Sequence, residues 1–316
     1  MSQRKAGEVL HKRYRVERCL GNGAMGSVYL VFDQQLEAQW ALKELDIGIV
    51  LEAEKDSALE LFRRESELQA TLSHPGLPRV VDFFLDESGS RCLVMEFIPG
   101  RPLDEVLETI GRPLLLQEAI PILLQVTHVL EYLHRCDPPV VFRDLKPSNL
   151  MLTPEGKVTL IDFGIARHYD KDRKKDTQEL GTPGFCAPEQ YGHGQSTPRS
   201  DIYAVGTTLF HLVTRDDPQS FHFKFPKLSS RMSVPAGLDE CLESVLKLNP
   251  GERPESVVKV RQQLEAVLVA LDPLAPVATR TLFPGLLQLL RHANLVRSEQ
   301  DKSPWQFWKN WLSEVF

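Results

Sequence analysis

The period of apolar and polar positions changes twice along this chain of 316 residues. From Tyr14 to Leu45 the apolar residues fall in short β-branched and aromatic runs. Tyr14 to Leu20 partly alternates, Val28 to Phe32 is continuously apolar, and Gln39 to Leu45 alternates again, which predicts three strands. Between about Ala58 and Leu72 the repeat lengthens, and Leu61, Phe62, Glu65, Leu68 and Leu72 fall near one helical face. His74-Pro75-Gly76 ends that helix. Two more strands are predicted from Arg79 to Leu85 and Arg91 to Phe97, around the turn Asp86-Glu87-Ser88-Gly89. Past the connector Pro99-Gly100-Arg101-Pro102 the pattern turns helical over 103–109, 117–134, 201–214, 238–248 and 255–271. The reading is an α+β chain, with a small strand-rich lobe (10–98) holding one main helix and a larger helical lobe (99–271).

Two polar turns break the apolar runs of the second lobe. Val141-Phe142-Arg143-Asp144-Leu145-Lys146-Pro147-Ser148-Asn149 precedes the strand-like Leu150-Met151-Leu152. Ile161-Asp162-Phe163-Gly164 closes the strand-like run from Lys157. A polar loop with capping residues explains any one of Asp144, Lys146, Asn149 and Asp162, but not the four together. Asn149 and Asp162 offer hard oxygen ligands of the kind Mg²⁺ takes beside phosphate oxygens and retained waters. Asp144 can accept the proton of an attacking hydroxyl, and Lys146 can neutralise charge on a moving phosphoryl group.

Upstream, Leu20-Gly21-Asn22-Gly23-Ala24-Met25-Gly26-Ser27-Val28 spells G-x-G-x-x-G-x-V. By itself this is a weak signal that an ordinary glycine-rich hairpin also satisfies. The dinucleotide-binding form requires a helix directly after the glycines. Here a strand follows, which favours a hairpin folded over nucleotide phosphates, with glycines permitting close backbone approach. Lys43 stands in an otherwise apolar strand shortly afterwards.

Composition adds bounds. Hydrophobic content of 42% and charged content of 25% are those of a soluble globular protein. The net charge of -6 argues against broad nucleic-acid binding. Five scattered cysteines, with no CxxC pair or Cys/His cluster, read as free thiols in a reducing, cytoplasmic compartment. The polar N-terminus has no signal-peptide core, and no apolar run approaches the ~20 residues of a membrane helix.

Taken in order, these residues resemble the eukaryotic-type (Hanks-type) protein kinases, over roughly residues 10 to 270. Further motifs extend the resemblance. Gly181-Thr182-Pro183-Gly184-Phe185-Cys186-Ala187-Pro188-Glu189 is similar to the end of the activation segment. Ser200-Asp201-Ile202-Tyr203-Ala204-Val205-Gly206 is similar to the helix that anchors the catalytic loop. Asn249-Pro250-Gly251-Glu252-Arg253-Pro254 is similar to the late motif whose Arg pairs with the Ala-Pro-Glu glutamate, here Arg253 with Glu189. The resemblance implies the bilobal protein-kinase-like fold. It implies that Lys43, after Trp40-Ala41-Leu42, reaches the α/β-phosphates and pairs with Glu65. Leu20, Gly21, Gly23, Gly26, Val28 and Ala41 would surround the nucleotide, with Met95 as gatekeeper and Glu96 to Ile98 as the hinge meeting adenine. Asp144 would be the base, with Asn149 and Asp162 on the metal. The implied cofactors are ATP and Mg²⁺, with Mn²⁺ as an alternative, and the implied partners are proteins with Ser/Thr acceptors. Lys146 and Thr182 resemble the serine/threonine subclass, and Gly23 to Tyr29 with Pro188-Glu189-Gln190 look like bacterial members.

Two departures from the family pattern concern switching. Phe142 stands where the family usually has His, and Gln69 stands where many members carry an apolar contact. Arg143 beside Asp144 suggests a phosphate on the activation segment, and Thr177 is the candidate acceptor. Lys171, Arg173, Lys174 and Lys175 read as a solvated charge run. Ser148 and His211 replace acids that select basic substrates, so no strong upstream arginine preference is expected. Competing functions are a pseudokinase scaffold, which the presence of Lys43, Asp144 and Asp162 disfavours, and a small-molecule kinase, which Ala187-Pro188-Glu189 disfavours. Past residue 271 the resemblance ends. Phe283 to Val296 reads as an amphipathic helix, and residues 303–316 are dense in aromatics. That tail (272–316) is open to three readings: packing on the large lobe, binding a partner, or resting on a membrane surface.

Overall fold

The structure is a computed structural model, and it describes residues 4–23, 26–45, 55–163, 166–169, 181–192 and 194–271. The expected amphipathic helix at 283–296, the aromatic tail, Thr177 and the basic run at 171–175 lie outside them. The described residues divide into two compact units, the first ending at Pro99 and the second starting at Gly100.

The first unit is a six-stranded antiparallel sheet in the order β1-β2-β3-β4-β6-β5. Its strands are β1 (Val9–Leu10), β2 (Tyr14–Gly23), β3 (Gly26–Asp33), β4 (Ala38–Leu45), β5 (Val80–Leu85) and β6 (Arg91–Glu96), with helix α1 (Lys55–Thr71) between β4 and β5. The two-residue period sorts its side chains. Tyr29 and Val31 join Tyr14, Val16, Leu42, Cys92 and Val94 on one face, while Val28 and Leu30 join Leu20 on the other. Phe62 of α1 packs with Leu45 and Leu93.

The edge strand β1 was not visible in the pattern. It pairs with β2 at Val9↔Arg15 and Leu10↔Tyr14, and two residues are too few to show a period. Beside it Arg4 reaches Glu8 at 2.7 Å and Glu44 at 2.5 Å, and also bonds Asp86. Glu44 is only 7% exposed, so it needs this cation to sit in the sheet.

The second unit holds α2 (Leu103–Ile110), α3 (Leu116–His134), α4 (Pro198–Thr214), α5 (Leu238–Val245) and α6 (Val257–Leu271). Short strands lie among them: β7 (Arg101–Pro102), β8 (Val140–Val141), β9 (Leu150–Leu152), β10 (Val158–Leu160) and β11 (Arg167–His168). They form a sheet ordered β10-β9-β7 and the pair β11-β8. The polar turns therefore sit on paired backbone: β9 and β10 run antiparallel from Leu150↔Leu160 to Leu152↔Val158.

Helix α4 is the centre of this unit, with 13 of its 17 residues buried. It starts three residues before the sequence pattern suggested. Thr197 caps it by accepting the Arg199 N–H, Pro198 occupies the first turn, and the Ser200 hydroxyl accepts from the Thr197 N–H. Helix α5 stops at Val245, earlier than expected, because Pro250 brings no N–H and the carbonyls of Lys247 and Leu248 are taken by Arg253. Among the described residues no helix is long and apolar enough to cross a membrane.

At Gly206 α4 meets the end of α5: a Cβ there would lie 2.6 Å from Val245 Cγ2 and 3.0 Å from Leu246 Cδ2. Gly206→Ala gains about 1 kcal/mol of helix propensity but overpacks the contact, which costs about 1–3 kcal/mol. A net loss of stability is expected in urea titration.

Candidate active site

In the first unit, β4 carries Lys43 and α1 carries Glu65. Lys43 Nζ donates to both carboxylate oxygens of Glu65, at 2.7 and 2.9 Å. Both residues are buried enough to strengthen the pair, with side chains 12% and 6% exposed. A buried ion pair stabilises weakly on balance, and its best-attested use is to fix register. Here it fixes α1 against the strand that carries the lysine. Glu67, the competing partner, turns to Arg63 at 2.6 Å on the exposed face.

One turn beyond Glu65, Gln69 is 2% exposed and its Nε2 donates to Met95 Sδ at 4.0 Å. The expected gatekeeper is thus tied to α1 by a weak polar contact. Lys43 aligns with Val28 on one side and Leu93 on the other, and Ala41 aligns with Leu30 and Met95. Gly21 aligns with Val28, and Gly23 with Gly26 at the hairpin end. A Cβ on Gly26 would lie 1.8 Å from the Glu44 carbonyl oxygen, so only glycine fits there. Leu20, Val28 and Leu30 cluster with Ala41 and Phe97. The Glu96 N–H donates to the Arg79 carbonyl at 2.8 Å, and Ile98 is buried. All of these residues lie in the first unit.

In the second unit the loop after β8 is built around one buried carboxylate. Asp201 of α4 accepts the N–H of Phe142 at 2.9 Å and of Arg143 at 2.7 Å, and meets His134 Nε2 at 2.8 Å. Asp201 and Phe142 are completely buried. With its N–H held, Arg143 adopts a left-handed conformation, φ 76°. The bend is held on the other side by Gln190, whose Nε2 donates to the Arg143 carbonyl at 2.8 Å. Phe142 packs edge-on against Phe163, with centroids 5.4 Å apart and planes at 84°. An apolar ring therefore fills the place where the family usually has His and meets the aromatic after Asp162.

The bend brings Asp144, Lys146 and Asn149 to one place, where Thr182 meets them. Asp144 Oδ1 accepts from the Thr182 hydroxyl at 2.7 Å and the Thr182 N–H at 3.2 Å. Asp144 Oδ2 accepts from Asn149 Nδ2 at 2.9 Å and lies 3.5 Å from Lys146 Nζ. Lys146 also donates to the Thr182 hydroxyl. Asn149 Nδ2 donates further to the Asp144 carbonyl at 2.8 Å. These bonds fix the Asp144 carboxylate in rotation and position.

Asn149 is fully buried, and its Oδ1 has no hydrogen-bond partner among the described residues. An orphaned buried acceptor is rare and needs an explanation. Its donor chemistry, a hard amide oxygen on a residue whose carbonyl accepts the N–H of Ile161, the neighbour of Asp162, at 2.9 Å, fits a divalent cation such as Mg²⁺. Asp162 is half-buried and left-handed at φ 70°, a strained conformation of the kind found where a side chain must be aimed.

The segment from Gly181 to Glu189 is pinned from below. Glu189 takes a bidentate bond from Arg253, at 2.7 and 2.8 Å, and the Ser200 hydroxyl at 2.6 Å. Arg253 uses its other N–H groups on the carbonyls of Lys247, Arg199 and Leu248, so all five donors are engaged. His211 lies against Phe185, with ring centroids 5.4 Å apart, and burial holds its pKa below the usual value. Arg143 is 2% exposed, and its Nε donates to Ser196 Oγ at 3.1 Å. Sequence reasoning found no role for Ser196 or His134, and read Gln190 only as a mark of the bacterial members. Each is a common residue type whose role depends on distant neighbours.

The sequence matches the protein kinase domain family over residues 14–260. It is similar to the serine/threonine-protein kinase PknA of Mycobacterium tuberculosis, 32% identical and covering 87% of this chain and 66% of that protein. It is also similar to serine/threonine-protein kinase A of Synechocystis, 30% identical over 91% of this chain and 60% of the relative. The chain thus spans about two thirds or less of the length of these relatives. Among solved structures, the Mycobacterium tuberculosis PknI kinase domain superposes with a TM-score of 0.66 at 28% identity, covering 84% of this chain and 99% of that one.

Asp201→Ala would leave two buried loop amides without an acceptor, each costing about 1–3 kcal/mol. We expect a loss of at least ~2 kcal/mol in chemical denaturation, with hydrogen exchange faster at Phe142 and Arg143 than elsewhere in the unit.

Proposed function

Because the chain belongs to the protein kinase domain family, in its bacterial serine/threonine branch, we propose that it transfers the γ-phosphoryl group of ATP to Ser or Thr hydroxyls of proteins. The observation that carries this reading is the bonded group of Asp144, Lys146, Asn149 and Thr182, with the orphaned Asn149 Oδ1 beside it.

The chemistry follows from the roles these atoms can take. The acceptor oxygen forms a bond to the γ-phosphorus, the bond from that phosphorus to the ADP oxygen breaks, and the hydroxyl proton passes to the Asp144 carboxylate. Asp144 is held by Thr182 and Asn149, so it orients the hydroxyl without reorganising. Lys146 stands close enough to neutralise charge on the phosphoryl oxygens in transit. Lys43, locked by Glu65, would hold the α/β-phosphates. Asn149 and Asp162 would hold the cation, which we take to be Mg²⁺. When bound, that ion would offset the charge of the phosphate groups. Positioning and electrostatics then supply most of the rate enhancement. The five cysteines are free thiols, which supports a cytoplasmic location. Peripheral contact through residues 303–316 is part of the same proposal.

Autophosphorylation with ATP and Mg²⁺ tests the reading. Asp144→Asn should lower the rate by about 10²–10⁴-fold, and Lys43→Met should weaken nucleotide use as well. Wild type labelling no better than either variant would leave a non-catalytic scaffold as the better reading.

We further propose that Thr177 is phosphorylated, adding about -1.5 to -2 charges that the Arg143 guanidinium meets. Thr177→Ala should then lower activity at least ~10-fold, about 1.4 kcal/mol. Fully active protein with Thr177 unmodified by mass spectrometry would refute the assignment.

A further inference from the structure

Between α4 and α5 the described chain makes no α-helix, only two short 3₁₀ turns at Pro218–Phe221 and Leu228–Ser230. What it builds instead is aromatic. Phe210, Phe221 and Phe225 pack with centroids 5.2 to 5.4 Å apart. Beside them opens a cavity of about 410 Å³, walled by Phe210, Phe225, Leu242 and Leu246. Leu248, 58% exposed, carries the apolar wall to the surface. The volume is in the range of sites that take a large side chain or small ligand.

The rim decides what chemistry fits. Five charged residues line it: Lys224, Lys227, Lys247, Asp239 and Glu243. Lys227 and Glu243 neutralise each other at 2.8 Å. Asp239 Oδ1 accepts the N–H groups of Leu228 at 2.9 Å and Ser229 at 3.4 Å. Lys224 and Lys247 are left exposed, with no ion pair among the described residues. Asp239 keeps its charge, so the rim sums to +1, and its two exposed ammonium groups complement an apolar side chain flanked by carboxylates.

The cavity is also connected to the segment expected to face substrate. Phe223 lines it and packs edge-on against Tyr191, with centroids 5.4 Å apart. The Tyr191 hydroxyl accepts the Gly184 N–H at 3.2 Å. Lys247 and Leu248 offer their carbonyls to Arg253, which holds Glu189.

We propose that this groove docks an apolar–acidic peptide segment of the proteins the kinase phosphorylates. One large apolar side chain enters the cavity and neighbouring carboxylates pair with Lys224 and Lys247. This rests on the kinase reading and adds a substrate class to it. A weak docking contact of this kind raises the local concentration of the acceptor hydroxyl without touching the reacting atoms.

The test is selection from a random 12-residue peptide display library on the full chain carrying Asp144→Asn. Affinities of the selected peptides follow by fluorescence anisotropy. No turnover is needed, so failure of the kinase reading and failure of docking are separable. Selected sequences should combine an aromatic or leucine anchor with Asp or Glu. They should bind the Lys224→Glu/Lys247→Glu double variant at least ~10-fold more weakly, a change of about 1.4 kcal/mol, with thermal stability unchanged. Selected peptides without that pattern, or with equal affinity for the double variant, would overturn the proposal. So would a synthetic peptide of residues 303–316 that displaces them at equal or lower concentration, since the occupant would then be the chain's own tail. Self-association competing with peptide in sedimentation would overturn it in favour of a second copy.

Discussion

The second unit depends on one buried carboxylate. Asp201 lies at zero exposure inside α4 and accepts two consecutive backbone N–H groups of the loop after β8, with His134 on the same side chain. An ionised group so deep is tolerable only when its oxygens are hydrogen-bonded. The requirement is mutual, because the loop amides would otherwise be buried without acceptors. Helix and loop therefore hold each other, and the left-handed turn at Arg143 is the shape that lets both amides point at one carboxylate. Asp144, Lys146 and Asn149 follow directly on that turn.

A second buried anchor repeats the logic for the segment from Gly181 to Glu189. Arg253 engages five acceptors, and Glu189 takes two of its bonds. Its guanidinium also lies over the Tyr203 ring, 4.9 Å from the centroid, on the same helix as Asp201. Helix α4 thereby joins the loop that carries Asp144 to the segment that carries Thr182. The bonds from Thr182 to Asp144 and from Lys146 to Thr182 close the circuit. The groove beside Phe210 meets these connections through Phe223 on Tyr191 and through the Lys247 and Leu248 carbonyls on Arg253.

The first unit is organised by different means. Its sheet is held by β-ladders and an apolar core, and α1 is set by Lys43 and Glu65. The weak bond from Gln69 to the Met95 thioether is a poor substitute for apolar packing, so the register of α1 relies more heavily on the ion pair. On the outer face Arg4 gathers Glu8, Glu44 and Asp86. Glu44 follows Lys43 in β4, and alternation along the strand sends the two charges to opposite faces. Neighbouring residues thus carry separate ion pairs, one toward α1 and one toward the start of the described chain.

Periodicity in the sequence carried the order of the longer elements, because periods of two and of three to four residues report which faces are buried. The sequence also singled out Asp144, Lys146, Asn149 and Asp162, because polar residues that interrupt apolar runs are poorly explained by packing, while Lys43 and Glu65 came from the resemblance to the family. Helix ends were less legible. Thr197 and Pro198 moved the start of α4, and Arg253 together with Pro250 moved the end of α5. Which backbone groups these side chains satisfy became fixed on folding. Ser196, Gln190, His134 and Arg4 are ordinary in sequence, and each acquires its role from a partner brought close by folding. The same holds for Asn149 Oδ1, without a hydrogen-bond partner among the described residues while Asp144 takes the amide nitrogen, and for the groove beside Phe210, whose walls come from segments that share no periodic pattern. Local spacing records which residue types a site requires. Which atoms remain free is settled by packing, since a hydrogen bond is counted only when both of its partners are in place.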